Sequence, residues 1–103
     1  MSKFVLHPEA YSDLYEIWEY IAAENLDAAD RVLEEIHEAI TLLVRFPKAG
    51  HSRADLTSRP LRFQVVRDYV VAYAPDERPL AIIAILHGRR NPRVLAGILN
   101  RRS

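Results

Sequence analysis

Apolar positions change their rhythm along this chain, and each rhythm predicts a different element. Between 9 and 24, Tyr11, Leu14, Tyr15, Trp18 and Ile21 recur at spacings of three and four, with Asp13, Glu16 and Glu19 set apart from them. That period predicts an amphipathic helix with one stripe on a core. Ile17 and Tyr20 widen the stripe into a surface that could also meet a partner. His7-Pro8-Glu9 reads as the helix start, because proline suits the first helical position and an acid suits the positive helix end. A second stripe, Ala29, Val32, Leu33, Ile36, Ile40 and Leu43, predicts a helix over 27–44. Asn25 breaks the two, and so short a link leaves only an antiparallel helical hairpin.

Phe46-Pro47-Lys48-Ala49-Gly50 ends the second helix, since proline cannot continue it and glycine accommodates the turn. After a polar loop over 51–60 the rhythm shortens to two. Leu61, Phe63 and Val65 alternate with Arg62 and Gln64, the pattern of a strand with one covered face. Arg67-Asp68 turns the chain into a strand over 69–74, and 75–79 turns it into a third over 80–86. That last strand is apolar on both faces and belongs at the centre of a sheet. Lys3–Leu6 supplies a short strand before the hairpin, and Asn91-Pro92 starts a final helix to about 100, with a frayed arginine tail. The expected architecture is α+β: an N-terminal strand, a helical hairpin, a three-stranded antiparallel meander and a short C-terminal helix. The expected domain spans 1–103, enough chain to remove about 60–65% of its unfolded surface from water.

The formal net charge is zero, but it is unevenly laid out. Residues 1–44 carry ten acids and two bases, a net of −8; residues 45–103 carry four acids and twelve bases, a net of +8. Eleven of those twelve bases are arginine. If folding keeps the halves apart, one side of the molecule is acidic and the other strongly basic.

Candidate chemistry is narrowed by what is missing. The chain has no cysteine, which excludes disulfides and thiolate chemistry, and four scattered histidines argue against a metal site. No glycine-rich loop opens a helix, so nucleotide phosphates have no cradle, and no cofactor is implied. Ser52, His87 and Asp68 could be drawn as a triad, but no nucleophile elbow accompanies them. No leader or membrane-spanning run is evident, which makes the cytoplasm the expected location.

His87-Gly88-Arg89-Arg90 is the most informative stretch. A buried strand places the residues at its mouth accurately, and two arginines there present donor forks suited to phosphate or carboxylate. Arg62 and Arg67 flank the first hairpin, while Arg53 and Arg59 enter from the loop before it. If the His87 turn lies at the same end, these residues form a basic rim around Tyr69 or Tyr73. Metal-free RNA cleavage would need a proton acceptor, a proton donor and cations on the phosphate. His87 is the one general-base candidate in the cluster, because arginine stays charged and the only lysines are Lys3 and Lys48.

Four stretches, taken in order and spacing, resemble the ParE branch of the RelE/ParE toxin superfamily, the plasmid stabilisation proteins. They are HPEAYSDLYEIWEYI, LVRFPKAG, LRFQVVRDYVVAY and AIIAILHGRRNPR, and the resemblance they mark runs over essentially the full length. The resemblance implies a cytoplasmic toxin of a type II toxin–antitoxin system, held in a hetero-oligomer by a cognate antitoxin whose tail wraps it. ParE-like members are associated with DNA gyrase inhibition and growth arrest; RelE-like members cut messenger RNA on the ribosome. The nuclease pattern would fall here on His87, Arg59, Arg62 and Arg89, but the chain lacks lysines around that pocket and a tyrosine in the C-terminal segment. The expected reading is therefore a non-enzymatic gyrase inhibitor. Target contacts are expected from His87, Arg89, Arg90 and Arg93, and antitoxin contacts from Ile17, Tyr20, Val94 and Ile98. The alternatives are a ribosome-dependent mRNA interferase and a nontoxic protein-interaction module.

Overall fold

The computed structural model describes residues 3–102. The elements run β1 (Phe4–Leu6), α1 (Pro8–Ala22), α2 (Leu26–Arg45), β2 (Arg62–Val66), β3 (Tyr69–Ala74), β4 (Leu80–His87) and α3 (Pro92–Arg101). This is the expected α+β order. The four strands form one sheet in the order β1-β4-β3-β2, with β1 parallel to β4 and the other pairs antiparallel. The strand that is apolar on both faces, β4, is indeed internal.

Each helix begins on a side chain that satisfies otherwise unpaired backbone donors. His7 Nδ1 accepts from Glu9 N, Asn25 Oδ1 from Ala28 N, and Asn91 Oδ1 from Arg93 N. Between the hairpin helices, Trp18 Nε1 donates to Asp30 Oδ1 at 2.9 Å. The hairpin covers one sheet face through Ile17, Val32, Ile36, Ile40 and Leu43, which meet Val66, Val71, Tyr73, Leu80, Ile82 and Ile85. On the opposite face Leu95 and Leu99 of α3, with Leu56, lie on Phe63, Ala72, Ile83 and Leu86. Strand β4 serves both layers with the help of a bulge. Tyr73 pairs with Ile82 and Ala72 with Ala84, so Ile83 is the extra residue. Ile82 faces the hairpin before the bulge and Ile85 faces it afterwards.

Three expectations from the periodicity need correction. Tyr11 and Tyr15 point to solvent at 63% and 58% exposure, while the inner line of α1 is Ala10, Asp13 and Ile17. Val65 is 63% exposed, because the layer over Leu61 and Phe63 does not extend that far along β2. The arginine tail is not frayed at Arg102, which is buried.

The junction after α2 is fastened by the meander. Tyr73 Oη donates to Pro47 O at 2.7 Å and accepts from Gly50 N at 2.9 Å, and Arg62 Nη1 donates to Gly50 O at 2.7 Å and Lys48 O at 3.2 Å. A Cβ on Gly50 would lie 2.6 Å from Tyr73 Oη and 2.9 Å from Phe63 O, so one neighbour that must yield is backbone. Gly50→Ala is accordingly expected to cost about 1–3 kcal/mol, the range for forcing extra volume into a packed site. A lower urea midpoint at unchanged slope would register it; a variant as stable as its parent would mean that the junction shifts without cost.

Candidate functional site

Strand register decides which basic residues can act together. Across the sheet, Val66 pairs with Tyr69 and Tyr69 with His87, whereas Arg62 pairs with Tyr73. Arg62 thus stands four residues along β2 from the His87 end, a rise of ~14 Å at about 3.4 Å per strand residue. It is also committed to the Lys48 and Gly50 carbonyls. Arg59 Nη1 donates to Leu99 O at 2.9 Å and Arg102 O at 2.6 Å, holding the C-terminal end of α3. The expected basic rim therefore assembles only in part: Arg53 lines a small cavity with Gly88 and Arg67 lies at the His87 end, but Arg59 and Arg62 do not join them. Antiparallel pairing carries Arg62 to the far end of the sheet, and Arg59 is spent on helix carbonyls.

At the near end, Arg67 occupies the left-handed region at φ 55°, which non-glycine residues seldom adopt. Its guanidinium forms a forked pair with Glu35 at 2.6 and 2.8 Å. The Arg67 bond holds the Glu35 carboxyl below its ordinary range. The associated stability is present above the unfolded carboxylate range and is lost as pH falls through the lowered value. Both partners are exposed to solvent, so the contribution is small.

Beside this turn lies a cavity of about 530 Å³, lined by Glu16, Ile17 and Tyr20 from α1, Asp68 and Tyr69 from the hairpin, and His87 and Arg90 from the end of β4. The rings of Tyr69 and His87 meet edge to face at 5.5 Å. Burial, with the Asp68 charge second, pushes the Tyr69 phenol above its ordinary pKa, away from proton transfer near neutrality. His87 Nδ1 accepts from Arg89 N at 3.1 Å. A neutral His87 in this geometry keeps its proton on Nε2, which leaves the outward nitrogen a donor and not a base.

Gly88 is tightly packed: its N donates to Asp68 O at 2.8 Å, and a Cβ there would meet Val70 Cγ2 at 3.1 Å. The turn is thereby held against β3, while the side chains after it project outward. Arg89, Arg90 and Arg93 are all exposed, and among the described residues none of their guanidinium groups enters an ion pair. Among the described residues, only Arg67 with Glu35, and Arg102 with Asp13 and Glu9, pair the basic half with the acidic one, so little of the asymmetry is cancelled by direct pairing.

Of the expected antitoxin contacts, Tyr20 is 81% and Val94 48% exposed. Ile98 packs partly against the α3 layer. Ile17 belongs to the hairpin core and shows at the cavity wall, so it offers little surface to a partner.

The sequence reading missed the pair that closes the molecule. Asp13 and Arg102 are each 8% exposed. Arg102 Nη1 reaches Asp13 Oδ2 at 2.6 Å and Nη2 reaches Oδ1 at 2.9 Å. Asp13 Oδ2 also accepts from Ile85 N at 2.9 Å, and Arg102 Nη1 donates to Ile83 O at 3.1 Å. These backbone groups lie on β4 at the bulge and just past it, beyond the residues that β1 covers. The ion pair therefore stands where a strand would otherwise continue.

A four-stranded sheet with a helical hairpin on one face, a short helix on the other and a cationic turn at its rim has the topology of the RelE/ParE toxins. Residues 4–92 match the family model described as "ParE toxin of type II toxin-antitoxin system, parDE", and the chain belongs to that family. It is 29% identical over 105 residues to Toxin ParE2 of Mycobacterium tuberculosis, in both the CDC 1551 / Oshkosh and the ATCC 25618 / H37Rv strains. That alignment covers 95% of this chain and 92% of the relative. Among the described residues, no helix is long and apolar enough to cross a membrane, and no group of three or more His, Cys, Asp or Glu side chains is gathered as a metal would require.

Proposed function

We infer that this chain is the toxin of a type II toxin–antitoxin pair and that it inhibits DNA gyrase by binding, without cleaving a substrate. One observation carries the reading: among the described residues Arg89, Arg90 and Arg93, on the braced turn and the start of α3, are exposed and enter no ion pair, while Arg59 and Arg62 are committed elsewhere. Planar forks of this kind recognise carboxylate or phosphate by two parallel hydrogen bonds, and a cluster of them steers association with an acidic target. The His87 geometry also supports it, because a nuclease would need a proton acceptor where Nε2 carries its proton. A cognate antitoxin would neutralise the toxin by covering apolar surface beside the turn, with Tyr20 and Val94 as its exposed anchors. The resulting hetero-oligomer, and action in the cytoplasm, follow from that pairing.

Purified antitoxin-free protein should be assayed side by side on gyrase supercoiling and on messenger RNA in programmed ribosomes. Inhibition of supercoiling with intact RNA is expected, and His87→Ala should retain inhibition to within about three-fold, as for a residue outside the main contact. Ribosome-dependent cuts that disappear in His87→Ala would overturn this reading in favour of an mRNA interferase.

A further inference from the structure

Helix α3 is a weak element by its own sequence. It spans ten residues, below the roughly 12–15 at which an isolated helix becomes even marginal in water, and it contains Gly97. Only Leu95 and Leu99 are buried in it. Yet its first turn carries Arg93 and adjoins Arg89 and Arg90, whose guanidinium groups enter no ion pair among the described residues.

Both ends of the helix are fastened. At the front, Asn91 caps it, and Arg89 N and Arg90 N donate to His87 Nδ1 and His87 O. At the back, Arg59 clamps Leu99 O and Arg102 O. From there the chain leaves the α3 layer, and the Arg102 side chain reaches Asp13 on α1, in the other layer, past the open edge of β4. A buried ion pair is a poor device for stability alone, because a hydrophobic pair of similar volume often does as well. What the forked geometry adds is a fixed position: Asp13 accepts Arg102 in one orientation only.

We propose that Arg102, clamped by Asp13, is a positioning residue for the cationic turn: it moors the far end of α3 to α1, so that Arg89, Arg90 and Arg93 meet the target already ordered. This rests on the gyrase-inhibition reading for the target, but not for the mooring itself. Arg102 also lies beyond the 4–92 segment of the family match, so the role is argued from this chain's own contacts.

The test uses full-length protein with Arg102→Gln, which keeps donors but no charge, and Arg102→Lys, which keeps charge but no fork. If Arg102→Gln does not fold, the neutral pair Asp13→Asn with Arg102→Gln takes its place. Amide exchange in α3 should quicken by about ten-fold more than in β3 and β4, whose own change reports the loss of global stability. Half-inhibition of gyrase should need about ten-fold more protein, because the turn must now be ordered on binding. Growth arrest should weaken in parallel, antitoxin affinity should stay within about three-fold, and lysine should recover part of the loss.

Unchanged α3 exchange, a loosened α3 with full toxicity, or exchange that quickens equally in α3 and the strands would each overturn the proposal. If the parent arrests growth but leaves gyrase untouched, the gyrase reading falls, and exchange together with growth arrest still decides the mooring. A parent that arrests nothing overturns both.

Discussion

Arg102→Ala is expected to cost about 3–5 kcal/mol, the loss found when one partner of a buried ion pair is removed. The Asp13 carboxylate would stay in place, 8% exposed, with Ile85 N as its remaining donor, and Ile83 O would lose the bond from Arg102. Asp13→Ala should cost a similar amount, because it strands a guanidinium and unpairs the Ile85 amide. Against a total stability of roughly 5–15 kcal/mol, either change brings the fold close to its limit. Urea denaturation of both single variants and the double variant closes the cycle. The double variant should lose clearly less than the two singles combined, since each single leaves a buried charge that the double removes. Singles within about 0.5 kcal/mol of the parent, as for ordinary surface positions, would mean that the pair is solvated in solution. The effect should not depend on pH near neutrality from the arginine side. The Asp13 bond, the largest cause, raises Arg102 above an already high value. Its contribution is therefore complete below the unfolded value and disappears only as pH climbs through the folded one, well above about pH 9.

Asp13 shows where sequence reasoning reached and where it stopped. Two stripes overlap on α1: Tyr11, Leu14, Tyr15 and Trp18 on one, and Ala10, Asp13 and Ile17 on the other. Hydrophobicity favours the first, but tyrosine is amphipathic and tolerates solvent. The second carries a carboxylate, whose burial makes sense only with a cation 89 residues later in the chain. No local pattern announces such a partner. The architecture was legible because periodicity, caps and turns are local: alternation marked the meander, and an apolar run on both faces marked β4 as central.

Register was also within reach, although it was not used. A two-residue turn at Arg67-Asp68 sets Val66 opposite Tyr69, and that count carries Arg62 to Tyr73, away from His87. The gathering of Arg62 beside His87 fails on that count, and that of Arg59 fails because its guanidinium holds the Leu99 and Arg102 carbonyls. The place of Arg89 and Arg90, exposed just past the end of β4, was legible because its signal is contiguous, a rigid strand ending in consecutive arginines.

Arg89→Ala with Arg90→Ala is expected to remove gyrase inhibition and growth arrest while leaving the fold and the antitoxin complex intact. Neither guanidinium is hydrogen-bonded within the chain among the described residues, so stability should move by less than about 0.5 kcal/mol. Hydrogen bonds to charged groups contribute about 1.5–3 kcal/mol each, so losing two should weaken target binding by on the order of 10²–10⁴-fold. Lysine at both positions should fall between parent and alanine, because it keeps the charge and steering but not the fork. Salt separates the same two contributions. Raising ionic strength should weaken the parent mainly through slower association, and the alanine pair should respond less. A soluble double variant that still arrests growth would remove the turn from the mechanism, and the apolar surface around Tyr20 would then have to serve target as well as antitoxin. That outcome would predict direct competition between them for one face, whereas a target site on the arginine turn requires only that the bound antitoxin obstruct it.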